Sequence, residues 1–212
     1  MDFYFGHRSG NSARVAFALE EAGARYAPHR VNVPAGESRT PAYRALNPMG
    51  KVPSLTDGEV RLWESNAINW YVAEKHPAAQ LIPSSTAGRA AVQRWLFFQV
   101  GHVTPACATV FRGTNERVRA FWRIPPIDPA LIDAARAELA RYLPVLEQAL
   151  ADRDWLERDF ALADLAYAPH LKLVAEGGYD FAATPLVRAW LERLWARPAW
   201  QRAEQLVFAD DA

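Results

Sequence analysis

Residues 47–55 read NPMGKVPSL, and residues 64–68 read ESNAI. Between them Asp57-Gly58 separates two apolar runs and signals a β-hairpin. Pro53, just ahead of a strand, cannot donate a ladder hydrogen bond, so it favours a sheet edge or an irregular entry. The Val52-Pro53 bond is a candidate for cis, against the ordinary trans alternative. A cis bond would turn the Val52 N–H and C=O outward, ready to pair with an extended ligand as another strand would. Glu64-Ser65-Asn66 stands where the next helix begins, with free N–H groups and a positive dipole end. A small carboxylate could sit on the Ser65 hydroxyl and nearby amides while Glu64 takes an ammonium group, matching both charges of an amino-acid-like ligand. The plainer alternative is that Glu64 and Ser65 only cap the helix.

Working outward, the first 77 residues mix strand-like DFYFG, a polar turn HRSGNSARV at 7–15, a helical stretch from Ala13 to Ala22, extended RYAPHRVNV, then VPSL and EVRLW. Ala67, Ile68, Tyr71 and Val72 recur at helical spacing between Glu64 and Glu74. The order is β-α-β, a variable helix or loop, then β-β-α. From Ser84 onward almost every long segment has a 3.6-residue apolar period. Ser84-Ser85-Thr86 offers caps for a helix starting near Ala87. Asp128-Pro129 opens another with Leu131, Leu139, Leu143, Leu146 and Leu150 on one stripe and with a kink or early end expected at Pro144. Further helices are expected at Ala161 to Glu176, closed by Gly177-Gly178, at Pro185 to Ala196, and from Pro198 to about Phe208. The expected division is an α/β module over 1–77, a linker at 78–83 and an all-helical module over 84–212.

Half the residues are apolar, and 24 basic residues balance 24 acidic ones, without the basic excess of a nucleic-acid binder. The single cysteine, Cys107, excludes an intramolecular disulfide, a CxxC redox pair and a cysteine-rich zinc site, and no metal is expected. No apolar run approaches the length of a spanning helix, and no secretory leader pattern opens the chain. The expectation is a cytoplasmic enzyme or binding protein with no membrane or nucleic-acid partner.

With these residues in view, the sequence resembles the glutathione transferase family over nearly its whole length. NPMGKVPSL followed by ESNAI resembles the family's glutathione-site signature, and DFYFG with SGNSARV resembles its first strand and first helix. The resemblance implies a thioredoxin-like N-terminal domain, an all-α C-terminal domain, and a homodimer with its active site in the interdomain cleft. It implies that Val52 pairs its backbone with the cysteinyl part of glutathione beside a cis Pro53. Glu64 and Ser65 would hold the γ-glutamyl end, Asn66 would add a polar contact, and Lys51 lies near the place of the glycine carboxylate.

A free thiol of pKa about 8.5 is only about 3% thiolate at neutral pH, and lowering it by about two units takes about 2.7 kcal/mol. One charge-assisted hydrogen bond plus a helix N-terminus is of that order, so a hydroxyl donor suffices. The family uses either a tyrosine in the first strand or a serine or cysteine just after it. Ser9 matches the serine-type position. Asn11 and Ser12 are its rivals, with Ser12 also the expected helix cap, and Tyr4 is read as packed elsewhere. For the second substrate, Arg8, His102, Val103, Ala106, Cys107, Phe111 and Arg112 are candidates, against a core reading of the helical stripe and a solvated reading of the arginines. The segment DWLERDFALADLAYAP resembles the family's folding motif with Asp164 present, but Ala161 stands where a serine or threonine cap is expected, a loss of about 1 kcal/mol.

The leading expectation is therefore a glutathione S-transferase acting on a small electrophile in detoxification. Glutathione-dependent disulfide reduction or peroxide reduction is the variant reading, and a non-catalytic binding module on the same fold is the competing class.

Overall fold

Phe3 and Phe5 alternate with Tyr4 along strand β1 (Asp2–Phe5), so that both phenylalanines are buried on one face and Tyr4 takes the other. In a computed structural model, which describes residues 1–209, β1 pairs in parallel with β2 (Ala27–Arg30) and antiparallel with β3 (Ser54–Asp57). β4 (Val60–Trp63) closes the hairpin through a two-residue turn at Gly58-Glu59, one residue beyond the expected Asp57-Gly58 because Asp57 still pairs with Val60, giving the order β2-β1-β3-β4. Pro28 is tolerated because β2 is an exposed edge strand. This four-stranded sheet with its helices is a thioredoxin-like α/β domain, as the sequence led one to expect.

Helix α1 (Gly10–Glu21) crosses from β1 to β2, α2 (Pro41–Arg44) lies in the long β2–β3 connection, and α3 (Ser65–Lys75) follows β4. α1 is buried nearly all round, from Ser12 to Leu19, because it packs against both α3 and α11 (Pro198–Phe208). Trp200 of α11 is fully buried edge-on against Phe17, with ring centroids 5.5 Å apart. Arg197, just before α11, makes a two-pronged ion pair with Glu21 at 2.5 and 2.9 Å. The first compact unit is thus Met1–Ile82 together with residues 197–209, and the second is Pro83–Ala196. The division drawn from sequence ran the helical module to residue 212. Apolar periodicity says that a helix is amphipathic, but not which unit its apolar face meets. Residues 210–212 lie outside the described residues.

The second unit is helical throughout. It contains α4 (Thr86–Phe98), a π-helical turn at Gln99–Val103, α5 (Thr104–Thr114), α6 (Glu116–Trp122), α7 (Pro129–Ala149), α8 (Leu162–Leu165), α9 (Ala168–Glu176) and α10 (Pro185–Trp195). The Asp128 side chain caps α7, with Pro129 at its first position. α7 continues through Pro144 to Ala149, so the expected early end does not occur. Pro144 and Ala140 are both exposed, so water can take the carbonyl that proline leaves unbonded, while buried Leu139, Leu143 and Leu146 hold the helix to the core. Leu131 is 59% exposed and does not join that stripe. The single helix expected from Ala161 to Glu176 is two, separated at Ala166-Tyr167, where the Tyr167 hydroxyl turns to donate to the Trp95 carbonyl at 2.9 Å. Among the described residues no helix is long and apolar enough to cross a membrane.

Candidate functional site

Strand register gathers the site. Tyr4 pairs with Ser54, and Ser54 with Trp63. The turn after β1, the Val52-Pro53 entry to β3 and Glu64-Ser65 after β4 therefore leave the sheet at the same end, although 59 residues of sequence separate Gly6 from Ser65.

At the first of these, Ser9 is the N-cap of α1, and its hydroxyl accepts the Ser12 amide at 3.3 Å. The hydroxyl of Ser12 is fully buried and accepts the Gly6 amide at 3.1 Å, tying the end of β1 back to the helix. The expectation that Ser12 is the cap is thus corrected, since Ser9 occupies that position. Cap and donor are compatible roles: a hydroxyl that accepts an N–H still has its own proton to give. Asn11 is partly exposed in the first turn. Arg8 holds a left-handed backbone (φ 57°), its amide donates to the Val207 carbonyl at 2.9 Å and its Nε to His7 at 3.2 Å. Tyr4 stacks on His29 with centroids 4.9 Å apart and meets Tyr43 edge-on.

The Val52–Pro53 peptide bond is cis. The loop ahead of it is held by two donors on one carbonyl: the Tyr43 hydroxyl at 2.8 Å and Asn47 Nδ2 at 2.7 Å both reach Lys51 O. Tyr43 also shares a hydrogen bond with Ser54 Oγ at 2.9 Å, and burial raises its phenol above the usual value, keeping the proton in place. Gly50 is required there: its φ is 62°, and a Cβ would come within 2.9 Å of the Ser38 carbonyl. The Lys51 side chain is exposed, Val52 partly exposed and Pro53 buried.

Glu64 precedes α3 with φ 68° and ψ 110°, and its side chain makes no cap bond and is exposed. Such a backbone costs about 1–3 kcal/mol and persists only where its surroundings enforce it. Ser65 is 7% exposed, and its hydroxyl accepts from Arg14 Nη1 of α1 at 2.8 Å. Asn66 is partly exposed. Arg14, Tyr43 and Asn47 were not singled out from sequence. For Arg14 a signal existed: a charged residue inside an otherwise apolar helical run, SARVAFAL, implies a buried partner.

In the helical unit, Val103, Cys107 and Phe111 are 1%, 0% and 7% exposed. Cys107 and Phe111, with buried Ala106, lie on α5, which packs against α7 and α9, and Val103 is buried at the end of the π-helical turn. His102 is exposed in the π-helical turn, against Phe98 and Tyr142 at centroid distances of 5.4 and 5.3 Å. Arg112 is exposed. Asp164 is fully buried and accepts from the Leu156 amide at 2.8 Å, the Ala161 amide at 3.0 Å and Trp190 Nε1 at 3.1 Å. Burial pushes its carboxyl up to about 7 against the pull of these donors. Ala161 has no side-chain oxygen to complete the capping box, so Asp164 stabilises the turn from one side only. Among the described residues no three His, Cys, Asp or Glu side chains are grouped so as to hold a metal ion.

Residues 3–74 match the glutathione S-transferase N-terminal domain family, and residues 116–198 match the glutathione S-transferase C-terminal domain family. Glutathione S-transferase 3 of Zea mays is 37% identical over 201 residues, covering 92% of this chain and 88% of that protein. The disulfide-bond oxidoreductase YfcG of Escherichia coli is 31% identical, covering 96% of this chain and 94% of its own. A theta class glutathione S-transferase from Xanthomonas axonopodis pv. citri, solved with glutathione bound, superposes with a TM-score of 0.86 at 32% identity over 99% of this chain and 97% of that one. With both domains matched and the relatives aligned over most of their length, the chain belongs to the glutathione S-transferase family and is, by that membership, a glutathione transferase.

Proposed function

We propose that the chain binds glutathione across the sheet end and that Ser9 stabilises its thiolate for attack on a small electrophile. The observation that carries this reading is the register, by which the turn holding Ser9, Val52-Pro53 and Glu64-Ser65 leave the sheet at one end. The cysteinyl backbone of glutathione pairs with Val52, the γ-glutamyl ammonium meets Glu64, and its carboxylate meets Ser65 and the first amides of α3. Asn66 adds a polar contact, and Lys51 lies toward the glycine carboxylate. The sulfur then reaches the mouth of α1, where Ser9 donates its proton and the first-turn amides supply a positive dipole end. Ser9 abstracts nothing. It lowers the thiol pKa by favouring the anion, and the thiolate forms the new bond to the electrophile as the leaving group departs.

Calorimetric titration with glutathione, and thiolate absorbance of the complex against pH, test the reading. Ser9→Ala is expected to bind glutathione while returning its thiol toward about 8.5 and slowing conjugation. Unchanged ionisation and turnover in that variant would remove Ser9 from the role.

A second reading, glutathione-dependent disulfide reduction, is favoured by the similarity to the Escherichia coli disulfide-bond oxidoreductase and uses Asn11 beside the sulfur. Asn11→Ala should then abolish reduction of a small disulfide by glutathione and spare conjugation. Peroxide reduction begins from the same thiolate. We further infer a cytoplasmic homodimer with a role in detoxification. The exposed apolar side chains of Phe97 (72%) and Val100 (44%) on the helical unit support a partner copy, which sedimentation of the purified protein would test.

A further inference from the structure

The hydrogen bond between Arg14 and Ser65 joins two residues 51 positions apart, both buried, at the place where α3 begins. A serine hydroxyl has one proton to give and two lone pairs to receive, whereas a guanidinium only donates. Arg14 therefore occupies a lone pair of Ser65 and leaves the Ser65 proton available to a second partner, which must be an acceptor. The bond also polarises the hydroxyl, since a charged donor strengthens the next hydrogen bond in a chain. Burying a guanidinium is costly, and α1 carries Arg14 at 1% exposure. An anion on the outer side of Ser65 would be stabilised by that charge through the hydroxyl between them.

We propose that Arg14 is a positioning residue for a carboxylate subsite. It fixes and polarises the Ser65 hydroxyl so that Ser65 presents its proton to the α-carboxylate of the γ-glutamyl group of glutathione. This rests on the reading that the γ-glutamyl end lies at Glu64-Ser65. Arg14 itself does not touch the ligand. Its contribution is orientation and charge, delivered from α1 to a group on α3.

The test uses the full chain and two probes: glutathione, and the glutathione analogue whose γ-glutamyl α-carboxylate is replaced by a carboxamide. Binding is measured by calorimetry for the wild type, Arg14→Met, Arg14→Lys, Ser65→Ala and the double variant Arg14→Met/Ser65→Ala. Loss of a hydrogen bond to a charged group predicts that Arg14→Met and Ser65→Ala each weaken glutathione about tenfold or more. The double variant should be scarcely worse than either single one, because the two residues act as one device. The carboxamide should bind the wild type weakly and lose little further on Arg14→Met, and Arg14→Lys should recover part of the preference for glutathione over the carboxamide.

Equal losses for both probes, or losses that multiply in the double variant, would make Arg14 merely structural and overturn the inference while leaving the subsite intact. A Ser65→Ala protein that binds glutathione like the wild type would overturn the subsite reading and this inference together. Should Arg14→Met fail to fold, the ratio of the two affinities in Arg14→Lys decides: a smaller preference for glutathione than in the wild type supports the proposal, and an unchanged ratio overturns it.

Discussion

The Ser12 amide donates to the Ser9 hydroxyl at 3.3 Å, while the Ser12 hydroxyl receives the Gly6 amide at 3.1 Å. The two serines therefore separate stability from chemistry. Ser12→Ala leaves a buried amide without its acceptor and should cost about 1–3 kcal/mol in denaturant unfolding, with the thiol pKa of bound glutathione unchanged. Ser9→Ala should cost about 1 kcal/mol as a lost cap and should also raise that thiol pKa. An exchange of these two outcomes would assign the roles the other way round.

Glu64 holds a backbone that a side chain adopts at a cost. Glu64→Gly should raise the unfolding free energy by about 1 kcal/mol as the strain is relieved, while glutathione binding weakens through the lost carboxylate. A variant less stable than the wild type would show that the backbone there is not the strained element.

Asp164 sets a pH dependence. Its carboxyl rises from 3.8 in the unfolded chain to about 7 in the fold, because burial disfavours the charge. A raised carboxylate favours the protonated fold, so its stabilisation is fully present below about pH 4 and is lost as pH climbs toward 7. Between pH 5.5 and pH 7.5 the denaturation midpoint of the wild type should fall more steeply than that of Asp164→Asn. The asparagine protein should be less stable at both pH values, since its amide cannot accept the Ala161 N–H. Parallel pH profiles for the two proteins would show that Asp164 does not change its protonation there.

Trp200 belongs to the chain's last described helix but to the core of the first unit. Trp200→Ala should cost about 3–5 kcal/mol, and ending the chain at Ala196 should expose the α1 face and prevent the first unit from folding. A truncated protein with an unchanged near-ultraviolet spectrum and unfolding midpoint would contradict this.

By itself the sequence determined most of the succession of elements and pointed to the family. The pairing of NPMGKVPSL with ESNAI carried the family resemblance, whereas the strand-like DFYFG, the Asp57-Gly58 turn and the Asp128-Pro129 helix start are local signals. Local chemistry writes them: strand alternation, turn conformation and capping act over a few residues. What only the tertiary structure decided are the relations between distant segments. That α11 joins the first unit, that Val103, Cys107 and Phe111 are core, that α7 passes through Pro144, and that Arg14 answers to Ser65 all depend on which buried surface meets which. An apolar stripe or a buried charge records the need for a partner, but its identity comes from the packing of elements far apart in the chain. At HRSGNSARV the same limit applied. The sequence showed two hydroxyls able to cap one helix, and only the fold, by bringing the Gly6 amide onto Ser12, left Ser9 as the cap with a proton still to give.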